Sequence, residues 1–452
     1  MVLNPNVFRA YDIRGLYPAE LNEDFFYDLA KGFCSYLLEN KKYFFLRRPK
    51  IVVGQDLRAS SSFLADAFID GVLDFGFDIV DIGSATTPMS VYAVHTLNCV
   101  GGAIVTASHN ARDYNGIKFL DKSCRYIGGE EFLEFFNRIK SKNNYKSKRG
   151  KYKETDISFS YLDFLTRGLK LKRKLKIVVD ASGGVAGLFL NNFLKKMKVD
   201  YIPLFFESDP FFEKHNPNPL LLESQFFVKE KIKETGADFG VIFDGDADRI
   251  VFVDEKSDCI RGDAAGGIVA DSFLKKGDAL VRDIVSTMSL EEHFEKKGVK
   301  NIISSVGRFY MRKAMEKNKA VFGSEMSGHY YFKKLHYSES AFLTLRLVLE
   351  ALDKNPSLQI SDLAKPFLKY FHSDEIFFPL VSSDAWPSIL EKIKKQYQTG
   401  RQSFGDGIKV EYEDWWFVLR PSNTEPVVRL CVEATNQNLF EEKKKEIFKL
   451  LL

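Results

Sequence analysis

The chain has 452 residues, 45% of them hydrophobic and 28% charged, with a formal charge of +4. Such a length exceeds one core and points to roughly three or four domains, and so small a charge gives no reason to invoke nucleic acid while tolerating an anionic substrate. The five cysteines, Cys34, Cys99, Cys124, Cys259 and Cys431, are far apart and never form C-x-x-C, which argues against a disulfide framework or zinc knuckle and fits a reducing compartment.

Arg9, Asp12 and Arg14 leave no apolar core for a signal peptide. No uninterrupted apolar run approaches the roughly 20 residues that span a bilayer. A cytoplasmic location with no membrane partner is therefore expected.

The first elements alternate in type. KIVVGQD (50–56) reads as a buried strand, and Leu64, Phe68 and Val72 recur four apart in the helix that follows. FDIVDIG, a helix and then GGAIV complete a strand–helix–strand–helix–strand unit of the parallel α/β kind. GGAIV runs into TASHN (106–110). Small polar residues end buried strands because they compete for backbone hydrogen bonds, so Ser108 reads either as a strand stop or as a nucleophile. Between Lys140 and Lys153 lie seven basic residues and no acid, a solvated helix end or linker, or else a phosphate-attracting patch.

The same order returns twice. KIVVD (176–180) leads through a helix near Phe189–Met197 and DYIPLFF to ADFGVIF (237–243); ALVRDIV (279–285) leads through NIISSVG to KAVFGSE (319–325). Breaks fall near Asp254–Asp258 and Lys369–Ser373. After them IKVEYEDWWFVL and VVRLCVEA alternate as antiparallel strands, and LFEEKKKEIFKLLL is an amphipathic helix. The expected fold is α/β: three similar domains (1–152, 153–256, 257–370) with mixed, mainly parallel sheets, and a C-terminal α+β domain (371–452). Each α/β unit ends its third strand in a polar loop, TASHN, DGDADR or GSEMSGH. Ligands bind beyond the carboxyl ends of parallel strands, so the domains are expected to surround one central cleft.

In DGDADR, Asp244, Asp246 and Asp248 alternate directly after a strand. Carboxylates this close need a cation or basic groups to compensate them, and Mg²⁺ takes such oxygen ligands. A calcium EF-hand loop is disfavoured because Arg249 replaces the turn glycine and both flanks are strands. A phosphatase of the haloacid-dehalogenase type, with Asp244 as nucleophile, remains open. RPSNTEP (420–426) places Arg420 beside Ser422, Asn423 and Thr424, the equipment for holding a phosphate dianion. Its capping-box pattern leads into a period-two strand rather than a helix. Glu325, Ser327 and His329 of GSEMSGH suit sugar hydroxyls or a satisfied turn.

Five ordered motifs, FRAYDIRG (8–15), TASHN with YNGIK (114–118), DGDADR, GSEMSGH and RPSNTEP, resemble those of the α-D-phosphohexomutase superfamily, the phosphomannomutase/phosphoglucomutase enzymes, over essentially the whole chain. The resemblance implies that Ser108 is the phosphorylated residue and that Mg²⁺ is held by Asp244, Asp246, Asp248 and its phosphate. It implies His109 and Lys118 as general acid/base candidates, Arg249 beside the transferring group, and Tyr11 and Arg14 lining the site. Glu325, Ser327 and His329 would meet the sugar, Arg308 would supply a phosphate contact of its own, and Arg420, Ser422, Asn423, Thr424 and Arg429 would hold the distal phosphate. The implied reaction interconverts hexose 1- and 6-phosphates of mannose or glucose through a hexose 1,6-bisphosphate, in a monomer or homodimer. A phosphoglucosamine mutase and a metal-dependent sugar phosphatase are the alternatives. Ala111 stands where many relatives carry proline, SES (338–340) departs from the usual acidic run, and Val285 and Arg308 stand where some dual-specificity enzymes carry lysine and histidine. Met326 stands where glucosamine-specific relatives carry glutamine.

Overall fold

The computed structural model describes residues 4–41, 48–139, 148–380, 385–421 and 427–451. It divides into two compact units, Met1–Arg261 with Ser327–Ser361, and Gly262–Met326 with Asp362–Leu452. The third α/β repeat of the sequence is thus shared between the two.

In the first unit the strand Lys50–Gln55 pairs in parallel with Asp78–Ser84 and Gly101–Val105. The helices Ser61–Phe75 and Thr87–Thr96 make the crossovers. Leu64, Phe68 and Val72 are fully buried, which is why the fourfold spacing specifies that helix. Tyr114–Asp121 then returns antiparallel to Gly101–Val105, and Ile13–Leu16 adds antiparallel beyond it. Tyr152–Glu154, in the basic stretch read as a linker, is an edge strand parallel to Asp78–Ser84; residues 140–147 lie outside the described residues. The exposed, charged character of that strand suits an edge.

A second sheet in this unit has Lys176–Asp180 parallel to Asp200–Leu204 and Phe239–Phe243, with Ile250–Val253 antiparallel to the latter. Asp254–Asp258 is the turn that joins Ile250–Val253 to the antiparallel Cys259–Ile260. TASHN and DGDADR both leave the carboxyl ends of parallel strands, where α/β sheets place ligands.

In the second unit Ala279–Asp283 lies between Lys300–Ser304 and Phe322–Ser324, all parallel. The C-terminal sheet is antiparallel, with Trp415–Pro421 between Gly407–Glu411 and Val427–Ala434, and the helices Trp386–Gln396 and Gln437–Leu451 accompany it. Three α/β segments and a C-terminal α+β segment are the expected architecture. Among the described residues no helix is long and apolar enough to cross a membrane, and all five cysteines are free thiols.

Phenylalanine, 41 residues of the chain, fills the first core. Phe33 stacks on Phe119 at 4.4 Å between ring centroids, and Phe119 meets Phe132 at 4.9 Å. Phe119 lies on the strand that ends the sheet's carboxyl-edge return and is 2% exposed. Truncating it would leave a cavity that stacked rings cannot collapse into. Phe119→Ala is expected to destabilise the protein by about 3–5 kcal/mol, read as a lowered urea midpoint followed by near-UV circular dichroism.

Candidate active site

Ser108 sits just past Gly101–Val105 with φ 52°, in the left-handed region that non-glycine residues rarely enter. Its N–H donates to Thr106 Oγ1 at 2.8 Å, and its Oγ donates to Asp244 Oδ2 at 3.0 Å. His109 Nδ1 is 3.2 Å from the same Oγ. A strand stop has no use for such a contact; the serine hydroxyl is aimed at the acidic loop.

That loop is closed to water. Asp244, Asp246 and Asp248 are each 0% exposed. Asp244 Oδ1 accepts the N–H groups of Asp248 and Arg249, both at 3.1 Å, and Arg249 Nε lies 3.2 Å from Asp244 Oδ2. Lys118 Nζ reaches Asp246 Oδ2 at 2.5 Å and Asp248 Oδ2 at 2.8 Å. Thr87 Oγ1 donates to Asp246 Oδ2 at 2.5 Å. His329 Nε2 stands 3.3 Å from Asp248 Oδ1, while its Nδ1 is 2.9 Å from Ser327 Oγ. Burial, and then the charges of Asp248 and Asp246, push the Asp244 carboxyl well above the ordinary carboxylate range. Such a set of acids holds together only with positive charge among them.

The donor set fits a hard divalent cation. One oxygen from each of the three carboxylates lies within 4.8 Å of the others. Asp246 Oδ1 is buried without a hydrogen-bond partner, a cost that coordination would relieve.

Arg14 reaches the serine loop, donating to Asn110 Oδ1 and to Asp12 Oδ2, each at 2.5 Å. Tyr11 lies in the bend just before the strand Ile13–Leu16. The remaining sequence-predicted residues belong to the second unit. Glu325, 1% exposed, accepts the N–H of Gly307 at 2.5 Å, and Arg308 opens the helix Arg308–Asn318 directly after it. Arg420 and Arg429 share the carboxylate of Glu375. Ser422, Asn423 and Thr424 lie outside the described residues.

Family models for the phosphoglucomutase/phosphomannomutase domains match along the chain: the alpha/beta/alpha domains I, II and III over residues 5–146, 160–258 and 261–371, and the C-terminal domain over 380–450. The chain belongs to the phosphoglucomutase/phosphomannomutase family. This makes it a hexose-phosphate mutase, an isomerase. It is 34% identical to a phosphomannomutase of Methanocaldococcus jannaschii over 98% of this chain and 97% of that one. It is 32% identical to a phosphomannomutase/phosphoglucomutase of Pseudomonas syringae pv. tomato, over 96% and 93% of the two chains. A crystal structure of a phosphoglucomutase/phosphomannomutase family protein from Burkholderia thailandensis superposes with a TM-score of 0.88 at 27% identity, covering 100% of this chain and 98% of the other.

Sequence reasoning missed Thr87, Arg58 and Gly245. Thr87 and Arg58 follow strands on the carboxyl edge of the first sheet, and that placement was the available signal. Gly245 is required by distance: a Cβ there would meet the Ser108 carbonyl oxygen at 2.7 Å. Gly245→Ala is expected to push the acidic loop off the serine loop and lower mutase turnover by about 100-fold. Circular dichroism should stay near wild type, because the contact lies outside the sheets.

Proposed function

We propose that this mutase interconverts the 1- and 6-phosphates of mannose and glucose, with Ser108 as the phosphoryl carrier and a hexose 1,6-bisphosphate as the bound intermediate. The observation that carries this reading is the Ser108 hydroxyl held 3.0 Å from Asp244 within a buried set of three carboxylates. In the first half-reaction the Oγ–phosphorus bond of phosphoserine breaks and a bond forms to the free sugar hydroxyl. In the second, the other phosphoryl group of the bisphosphate returns to Oγ. Transfer of this kind needs alignment and charge neutralisation more than covalent chemistry.

Asp244, Asp246 and Asp248, with a phosphoryl oxygen on Ser108, would hold one Mg²⁺, which when bound supplies positive charge beside the transferring group. Arg249, anchored on Asp244, adds a second cation there. His109, beside Oγ, and Lys118 take and return the proton of the attacking hydroxyl. Lys118, held between two carboxylates, must be unprotonated when it takes the proton of the attacking hydroxyl and returns that proton in the second half-reaction. Tyr11 and Arg14 border the serine loop. Arg308, Glu325, Ser327 and His329 meet the sugar, and Arg420 and Arg429, with Ser422, Asn423 and Thr424, hold its distal phosphate.

Glu325 and Ser327 would read hydroxyls common to mannose and glucose, leaving the 2-position weakly read. Strong discrimination requires a buried group left unpaired by the wrong sugar. Mannose 1-phosphate and glucose 1-phosphate are therefore expected to turn over with comparable kcat/KM, and glucosamine 1-phosphate poorly. A glucosamine substrate preferred by a wide margin would reassign the sugar.

Two further outcomes test the chemistry. Ser108→Ala should lose essentially all turnover and the phosphoryl mass increment that phosphatase removes from the wild-type protein; full turnover by this variant defeats the carrier assignment. Chelation of divalent metal, or Asp246→Asn, should each reduce turnover by at least about 100-fold. Inorganic phosphate released as fast as isomer forms would favour a sugar phosphatase instead.

A further inference from the structure

Arg58 follows the strand Lys50–Gln55 and is 3% exposed. Its Nε pairs with Asp56 Oδ2 at 3.2 Å, and Asp56 is itself held, its Oδ1 accepting the N–H of Arg58 at 3.0 Å and Ser61 Oγ at 2.5 Å. The outer edge of the guanidinium is spent on one loop. Nη2 donates to the carbonyls of Ser108 at 2.8 Å and Asn110 at 2.7 Å, and Nη1 to those of Ala111 at 2.9 Å and Tyr114 at 3.1 Å. The Phe212 ring closes one face, 4.9 Å from the guanidinium carbon.

Four carbonyls of the segment that carries Ser108 therefore converge on one side chain. From Ser108 to Ala111 the segment's own backbone bonds are short-range turns, Asn110 N–H to Ala107 and Tyr114 N–H to Ala111, and only further on does Asp113 accept the N–H of Tyr17 at 2.9 Å. Nothing in such turns holds a left-handed serine, φ 52°, at a set depth above the sheet. The planar fork of arginine supplies enough donors in fixed directions to do so; the three rotating donors of a lysine ammonium cannot reach four carbonyls fanned around it.

We propose that Arg58 is a positioning residue for phosphoryl transfer: clamped by Asp56, it fixes the backbone from Ser108 to Tyr114 so that Ser108 Oγ keeps one orientation as acceptor and as donor. This rests on the reading of Ser108 as the carrier. A serine that must both give and receive the group tolerates little drift, since misplacement by about 1 Å costs on the order of 100-fold in rate. Ordinary burial of an arginine would need only satisfied donors; here both terminal nitrogens donate to the reactive loop.

Full-length Arg58→Lys and Arg58→Ala, with Ser108→Ala in parallel, test it under saturating bisphosphate activator. In folded Arg58 variants kcat should fall by about 100-fold while KM for the hexose 1-phosphate stays within about threefold, the signature of lost transition-state alignment without lost substrate contacts. Methylguanidinium should restore part of the kcat of Arg58→Ala and none of that of Ser108→Ala. Wild-type kcat in folded Arg58→Lys, or a loss carried wholly by KM, overturns the proposal. If neither Arg58 variant folds, Asp56→Asn keeps the guanidinium but loosens its anchor: lowered kcat at constant KM supports the proposal, and unchanged kcat overturns it. Full turnover by Ser108→Ala would defeat the carrier reading itself, whereas an inactive Ser108→Ala beside a fully active Arg58→Lys defeats only the role of Arg58.

Discussion

Three carboxylates sealed from water within five residues are the constraint around which the first unit is organised. Asp244, Asp246 and Asp248 are fully buried, and isolated charges in such a place would be prohibitive. Charge and hydrogen bonds reach them from separate elements: Lys118 from the strand Tyr114–Asp121, Thr87 from the start of the helix Thr87–Thr96, Arg249 from the loop itself and His329 from the remote segment Ser327–Ser361. Two sheets far apart in sequence are thereby tied at their carboxyl edges. The acidic loop is a candidate cation site and also a reason for the sheets to meet as they do.

A site of this kind trades stability for readiness. Removing one member of a buried charge network leaves the others uncompensated, and Asp246 Oδ1 already lacks a hydrogen-bond partner. The left-handed backbone of Ser108 is a second unfavourable element placed against the first. Strain and unsatisfied polarity concentrated at one place are typical of residues that are held for chemistry rather than for the fold. The aromatic core behind the first sheet, with Phe33, Phe119 and Phe132 in contact, provides the burial that offsets them.

The second unit poises its polar residues differently. Arg420 and Arg429 are not spread over solvent but gathered by Glu375. A carboxylate that gathers two guanidinium groups keeps them extended toward a common point while limiting their mutual repulsion. Glu325 is tethered by the Gly307 N–H next to Arg308, so an acid and a cation are presented by adjacent turns.

Much of this followed from the sequence by itself. Period and β-branched runs located the parallel strands and their crossover helices, because a strand buried on both faces must be continuously apolar. Ordered polar motifs at strand ends picked out Ser108, the three aspartates and the GSEMSGH and RPSNTEP stretches as candidates, because chemistry at the carboxyl edge needs residue types that a strand interior excludes. The tertiary structure alone decided the partners. No spacing rule joins Lys118 to Asp246 and Asp248, Thr87 to Asp246, or Arg58 to the carbonyls of Ser108 and Tyr114; those pairs are separated by long stretches of chain and form only once two sheets fix their edges. The same holds for Gly245, whose missing side chain matters because the Ser108 carbonyl occupies the space. It holds as well for the basic stretch around Tyr152, where composition suggested a linker and an open sheet edge made a strand. Local sequence specifies which residues can do chemistry and which backbone they ride on. Distances between remote carboxylates, amines and carbonyls are set by packing, and packing is a property of the whole chain.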